Sequence, residues 1–530
     1  MLLFQDWGLL INYNRKKILK MKNILKYTFA VLAVGFVSCE PEFDSPVTDD
    51  GFYSSGTANL SKYVSVGNSL TAGYADGALY ITGQENSYPN IMAEQFMFTG
   101  GGEFMQPLMN DNIGGLLLGG TQIAENRFVL AVDANGNPGP VRLEGTPTTD
   151  ISNKLSGSFN NMGVPGAKSF HLVAPGYGNV AGVPTGAANP YFARFASSES
   201  ATVIGDAAAQ NPTFFSLWIG NNDILSYATS GGAGVDQTGN FDPSTYGGND
   251  ITDPNVFASV YSQQVDALTA SGAKGVLVNI PEVTSIPYFT TVPTNAIPLD
   301  AATAAQLNAQ FAAYNTQILP GLAAMGVITP EEAALRMINF SAGQNFPIMT
   351  DDDLTDLTTI LQGAPFSLPP QLAALLGQLR QVKSDDLIVL TASSVLGTTP
   401  DPNNPQGVIG VSIPLTDQYV LAVSEQARIT AASTAYNATI QALAGAKGLA
   451  FVDAKAALAR VANGGVVYDG GVLTSQFVTG GAFSLDGVHP TPRGYAYTAN
   501  LIIQAINDTY DATIPKVHIG NYATITVTNN

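Results

Sequence analysis

The chain has 530 residues, of which 45% are hydrophobic and 12% charged, so it can bury a large core and is not a disordered polymer despite its 54 Gly and 31 Pro. That length suggests two or three ordinary domains or one domain with large insertions. The formal net charge is −19, and six of the 22 basic residues fall within residues 1–38, so the remainder is more acidic still; such a surface repels phosphate backbones and argues against nucleic acid as a partner.

In chain order, the first feature is a basic pair, Lys22 and Lys26, before an apolar run over residues 27–37 that ends at Ser38-Cys39. A short basic segment, a short apolar segment and a small residue are the parts of a secretory signal, and the run is too short to span a bilayer comfortably. Cys39 is the only cysteine, so no internal disulfide forms. A small residue before a lone Cys resembles the lipobox of bacterial lipoproteins, although Phe36 stands where Leu is usual. The resemblance implies cleavage before Cys39, acylation of its thiol, and an exported protein held on the cell envelope, with the outer membrane the expected site. A plain signal peptide with a chance Cys is the alternative. Met21 is the natural start, and residues 1–20 read as an upstream extension. The acidic, Pro-bearing stretch that follows reads as a flexible tether over residues 39–59, with the folded part expected from about Leu60.

Four apolar runs then predict strands: residues 63–66, 214–219, 275–280 and 449–453. Continuous apolar runs of this length suit a parallel sheet buried on both faces. Helical patterns lie between and after them. Phe257, Val260, Tyr261, Val265 and Leu268 share a face, as do Leu307, Phe311, Tyr314 and Ile318. Residues 419–443 form a long Ala-rich helix, and residues 495–506 close the fold. Alternating strands and helices imply an α/β fold with a mostly parallel sheet. Three stretches break the rhythm, about 75–155, 226–254 and 285–415. They read as insertions on one domain over residues 60–512, with 513–530 a C-terminal tail.

Three short motifs sit at the expected carboxyl edge of that sheet or before the last helix. Gly67-Asn68-Ser69-Leu70 follows the first strand, and Gly220-Asn221-Asn222-Asp223 follows the second. Ligands of open α/β sheets bind outside the carboxyl ends of the strands. Each motif alone is also explained as a turn or a helix cap. Asp486-Gly487-Val488-His489 is the third, and its carboxylate can reach the imidazole within one tight turn. The other two histidines, His171 and His518, have no such partner and read as structural or exposed.

Taken together, and with Asn161-Met162-Gly163-Val164-Pro165-Gly166 between the first two, these blocks resemble the SGNH/GDSL hydrolase family. Asn68 replaces the Asp of the name-giving motif. The resemblance spans residues 63–506 as islands. It implies a three-layer α/β/α sandwich with a flavodoxin-like plan and hydrolysis of carboxylic esters through an acyl-enzyme, without cofactor. In that reading Ser69 is the nucleophile, His489 its base and Asp486 the partner of His489. The oxyanion donors are the backbone N–H of Ser69 and of Gly166, with Gly163 the alternative, and the amide of Asn222. A Ser hydroxyl needs such a base, and His is suited because it titrates near neutrality. The Gly-x-Ser-x-Gly elbow of α/β-hydrolases is absent, because Leu70-Thr71 follow Ser69. Acylated glycans, lipids and small esters are all consistent substrates. A non-catalytic surface protein that binds glycan on the same fold is the rival reading.

Other features carry less chemistry. Asp351-Asp352-Asp353 could hold calcium, but consecutive carboxylates more often form a solvated, helix-capping cluster. Residues 133–137 resemble a calcium loop without its distal Glu and read as a turn. No phosphate loop, Cys/His metal cluster or dinucleotide fingerprint is present. Leu372, Leu375, Leu376 and Leu379 make one apolar stripe, suited either to packing within the insertion's own core or to covering the Ser69 crevice.

Overall fold

All four apolar runs become strands. With a fifth, they form one parallel sheet: β1 (Tyr63–Gly67), β2 (Asn161–Gly163), β3 (Phe214–Trp218), β4 (Lys274–Val278) and β5 (Ala450–Val452), in the order β5-β4-β3-β1-β2. The structure, a computed structural model, describes residues 52–132 and 136–527. The anchor and signal segment expected at and before Cys39, and residues 133–135 of the expected turn, lie outside the described residues. The chain divides into two units, and the one from Ser54 onward is the unit described below.

The sheet is buried on both faces, which is why its strands read as unbroken apolar runs. Val64, Val66, Phe215, Leu217 and Leu277 belong to one hydrophobic cluster. Their neighbours Tyr63, Phe214, Trp218, Val276 and Val278 belong to another. Alternation along each strand sends successive side chains to opposite faces. Nine helices are used below: α1 (Ser69–Ala72), α2 (Tyr88–Phe96), α3 (Val203–Ala209), α4 (Asn222–Thr229), α5 (Pro254–Thr269), α6 (Pro370–Gly377), α7 (Val423–Lys447), α8 (Ala454–Ala462) and α9 (Pro492–Tyr510). The first cluster takes residues from α3, α5 and α7. The second takes residues from α2 and α9. Local chemistry sets the helix starts. Asp253 accepts from the N–H groups of Asn255 and Val256 ahead of α5, and Thr491 accepts from Gly494 N–H ahead of α9. A Pro follows each cap, where its missing N–H costs nothing.

Strand β2 has no apolar run to announce it. It is three residues of the glycine block, paired in register with Ser65, Val66 and Gly67. The chain leaves β1 for β2 on one side and returns to β3 on the other. The crevice at the carboxyl ends of β1, β2 and β3 is therefore the topological switch point of the sheet.

The boundaries differ from expectation in three places, while the long insertion keeps the stripe in its own core, one of the two readings open to it. Residues 75–155 are not all excursion. Helix α2 buries Tyr88, Ile91, Met92 and Phe96 in the same cluster as α9, and only the two hairpins beyond it project. The ordered unit begins at Ser54 instead of Leu60, because Thr57 N–H donates to the Tyr510 carbonyl at 2.8 Å and Thr513 N–H donates to the Ser54 carbonyl at 2.8 Å. The C-terminal segment is fastened too, since the Thr526 carbonyl accepts from Leu130 N–H at 2.9 Å. The long insertion owns a separate core that includes Leu307, Phe311, Leu322, Leu376 and Leu379. Leu372 is exposed, and none of the four stripe leucines lines the Ser69 cavity. The stripe packs within its own insertion and is not a lid.

The triple Asp is solvated only in part, with Asp352 and Asp353 exposed and Asp351 buried. Asp351 is buried against Arg380, whose guanidinium also engages Asp386 at 2.5 Å, while Asp353 pairs with Arg428 at 2.7 Å. Burial of an Asp requires such pairing.

Candidate active site

Ser69 opens α1 directly beyond β1. Asn68 caps the helix by accepting from Leu70 N–H at 3.0 Å and donates its amide to Asn221 Oδ1 at 3.2 Å. The second bond needs an amide, because a carboxylate has no N–H to give. Across 420 residues of sequence, Ser69 Oγ comes within 2.9 Å of His489 Nε2. His489 Nδ1 lies 2.8 Å from Asp486 Oδ2. An ionised Asp only accepts, so Nδ1 carries the proton and Nε2 is left to accept from the Ser69 hydroxyl.

Asp486 is held in that state by its turn. Its Oδ1 accepts from the backbone N–H of Val488 at 2.9 Å and of His489 at 2.8 Å, and from Ser484 Oγ at 3.1 Å. Burial pushes its carboxyl up, but the adjoining His489 and these N–H donors outweigh it, and the net effect is a fall to about 2. The pair is nearly shielded from solvent, with side-chain exposures of 14% for His489 and 11% for Asp486. The Tyr74 ring packs on the imidazole at a centroid distance of 4.7 Å, and Tyr495 Oη donates to the Tyr74 carbonyl at 2.7 Å.

The two glycines of the second block do different work. A Cβ on Gly163 would sit 2.3 Å from Ala72 N, so Gly is needed for α1 to lie against β2. Its N–H is also occupied, donating to Asn161 Oδ1 at 3.0 Å. Gly166 has a φ of +80°. Among the described residues neither its N–H nor that of Ser69 donates a hydrogen bond to the protein. Gly166 therefore fits the donor role and Gly163 does not. The loop bearing Gly166 is stitched to α4. Asn222 Nδ2 donates to the Ala167 carbonyl at 2.9 Å, and Asp223 accepts from Ser169 N–H at 2.8 Å and Ser169 Oγ at 2.6 Å. Asp223 is fully buried, and burial raises its pKa against the opposing pull of these Ser169 bonds. One proton of the Asn222 amide remains to serve the crevice.

All five residues expected from the motifs thus belong to the crevice edge of the sheet, with Ser69, Asp486 and His489 joined in one relay. His171 is structural. It accepts from Lys168 N–H at 3.0 Å, stacks on Tyr177 at 4.5 Å, and burial lowers its pKa to about 4. Sequence reading missed the loop after α1. Asp76 is buried there, accepting from Leu485 N–H at 3.0 Å and Tyr80 Oη at 2.8 Å, while its own N–H donates to Ser484 Oγ at 2.9 Å. The Asp76-Gly77 pair was visible only as an ordinary turn signal.

Among the described residues no cluster of His, Cys, Asp and Glu is arranged to hold a metal ion, and no helix is long and apolar enough to cross a membrane. Comparison with family models, curated proteins and solved structures finds no match to this chain.

Proposed function

We propose that this chain is a serine hydrolase that cleaves carboxylic esters through an acyl-enzyme on Ser69. The observation that carries the reading is the unbroken relay from Ser69 Oγ through His489 to Asp486, at 2.9 and 2.8 Å. His489 Nε2 takes the hydroxyl proton as Oγ attacks the ester carbonyl, and Asp486, acidic enough to stay ionised, stabilises the imidazolium. The N–H groups of Ser69 and Gly166 and the Asn222 amide receive the oxyanion. The alcohol leaves with the proton from His489. Water then repeats the sequence on the acyl-enzyme, releasing the carboxylate.

The strand order and the helices on both faces support a three-layer, flavodoxin-like plan, as in the SGNH/GDSL hydrolases that the motifs resemble. The Cys39 segment supports export and anchoring by acyl chains, each buried CH₂ contributing about 0.8 kcal/mol.

The test is labelling with a fluorophosphonate, followed by peptide mapping. Modification of Ser69 in the wild type, absent in His489→Ala, is the expected result. An unlabelled protein that instead retains affinity for glycans supports the rival role of a non-catalytic binder.

A further inference from the structure

The Ser69 crevice continues into a cavity of ≈ 120 Å³ whose lining is mostly apolar. Its polar lining consists of Ser69, His489, Asn68, Asn221 and Asn222, with Tyr497 and Thr498 on α9. Beyond them the walls are almost wholly apolar, formed by residues such as Trp218, Val278, Val452, Ala457, Leu458 and Leu501. No Asp, Glu, Lys or Arg side chain lines it. The lining follows the carboxyl ends of β1, β3, β4 and β5 in turn, and α8 and the early turns of α9 wall it. Three inter-strand spacings make that path about 14 Å long.

We propose that this cavity is the acyl-chain site and that the protein acts on fatty acyl esters of medium chain length; this rests on the serine hydrolase reading above. The chemistry of the walls decides the class. A sugar placed there would lose its hydrogen bonds to water and find almost none in return. A methylene chain loses nothing and gains burial. The chain belongs to the acyl side of the ester for a mechanistic reason. After the alcohol departs with the His489 proton, water must take its place beside Nε2 to attack the acyl-enzyme. A dry lobe is a poor reservoir for that water but a good holder for the group that stays bonded to Ser69 Oγ. Small residues make the depth. Ala457 lies on α8, beyond β5, remote in the sheet from the β1 end that carries Ser69.

The experiment compares nitrophenyl acetate, nitrophenyl octanoate and octyl acetate on the wild type, Ala457→Phe and Leu458→Ala. In the wild type kcat/KM should rise by up to about fourfold per acyl methylene until the cavity is filled. Ala457→Phe should lower the octanoate-to-acetate ratio at least about tenfold, since the new ring displaces several methylenes. Leu458→Ala should move the optimum to longer chains. A binding measurement stands apart from turnover: Ser69→Ala should bind octanoate in a calorimetric titration and lose that affinity when Ala457→Phe is added. Equal losses on both nitrophenyl esters, or a length preference that follows the alcohol in octyl esters, overturn the acyl assignment while leaving the hydrolase intact. No turnover of any ester together with an unlabelled Ser69 overturns the hydrolase reading and the acyl assignment with it.

Discussion

The backbone N–H of Gly77 lies 2.8 Å from Asp486 Oδ2, the same carboxylate oxygen that receives His489 Nδ1. The loop after α1 therefore cradles the far end of the relay that α1 begins. Asp76, one residue earlier, ties this loop to Leu485 and Ser484. Asp76→Ala should lower kcat by about 10- to 100-fold, the effect of a small misplacement of a catalytic group, with KM little changed. Asp76→Asn should recover much of the rate, because its amide oxygen still accepts from Leu485. A purely structural role would instead lower Tm without this difference between the two variants; steady-state kinetics beside thermal melts separate them.

Ser69→Ala and His489→Ala should each abolish ester hydrolysis and leave the fold unchanged by circular dichroism. Removing both should cost no more than removing one, since the two act as a unit. Asp486→Asn should be similar or less severe. A Ser69→Ala protein that cleaves nitrophenyl acetate at near wild-type rate sinks the assignment of the nucleophile.

Asn222→Ala removes one proposed oxyanion donor and also the bond to the Ala167 carbonyl. The first loss costs about 100-fold or more in kcat. The second loosens the loop that carries Gly166, so KM for a reactive ester should stay within a few fold while kcat falls. An unchanged kcat would remove Asn222 from the oxyanion site.

Glu425, at the start of α7, accepts from Ala422 N–H at 2.6 Å and is almost fully buried. Burial pushes its pKa up to about 9, only partly offset by that N–H and reinforced by Asp417 and Asp353. The folded state thus holds a proton that the unfolded chain releases near 4.5. The associated stability is complete below that lower value and is lost as pH rises toward about 9. Asp417, raised to about 7 chiefly by burial, acts in the same sense over a lower range. Stability should therefore fall between about pH 5 and 8, at up to about 1.4 kcal/mol per pH unit for each group, and Tm with it. Glu425→Gln should flatten the slope in a series of thermal melts; an unaltered slope would show that the proton is not held at Glu425.

Cys39→Ala should release the protein from membranes into the soluble fraction. Intact mass of the membrane-bound wild type should show acyl chains on that residue, and an unmodified Cys39 there would refute the anchor.

How much of this was legible follows the range of the forces involved. Strands β1, β3, β4 and β5 announced themselves because a strand buried on both faces is apolar at nearly every position, with Ser65 and Ser216 the polar exceptions in β1 and β3. Helix α5 did so through side chains repeating at the helical period, and α7 through its Ala-rich run. Ser69, Asn222 and His489 stood out because the chemistry confines each to a short block. Tertiary structure alone decided the rest. Strand β2 is polar and only three residues long, and its neighbour β1 makes it a strand. Leu376 carries the same stripe whether it covers a crevice or fills a core; the insertion's own apolar residues, 297–379 and beyond, chose the core. Asp76 and Gly77 read as a turn because their partners, Leu485 and Asp486, lie 409 residues away. A hydrogen bond leaves no periodicity along a chain, and only folding brings its two ends to one place.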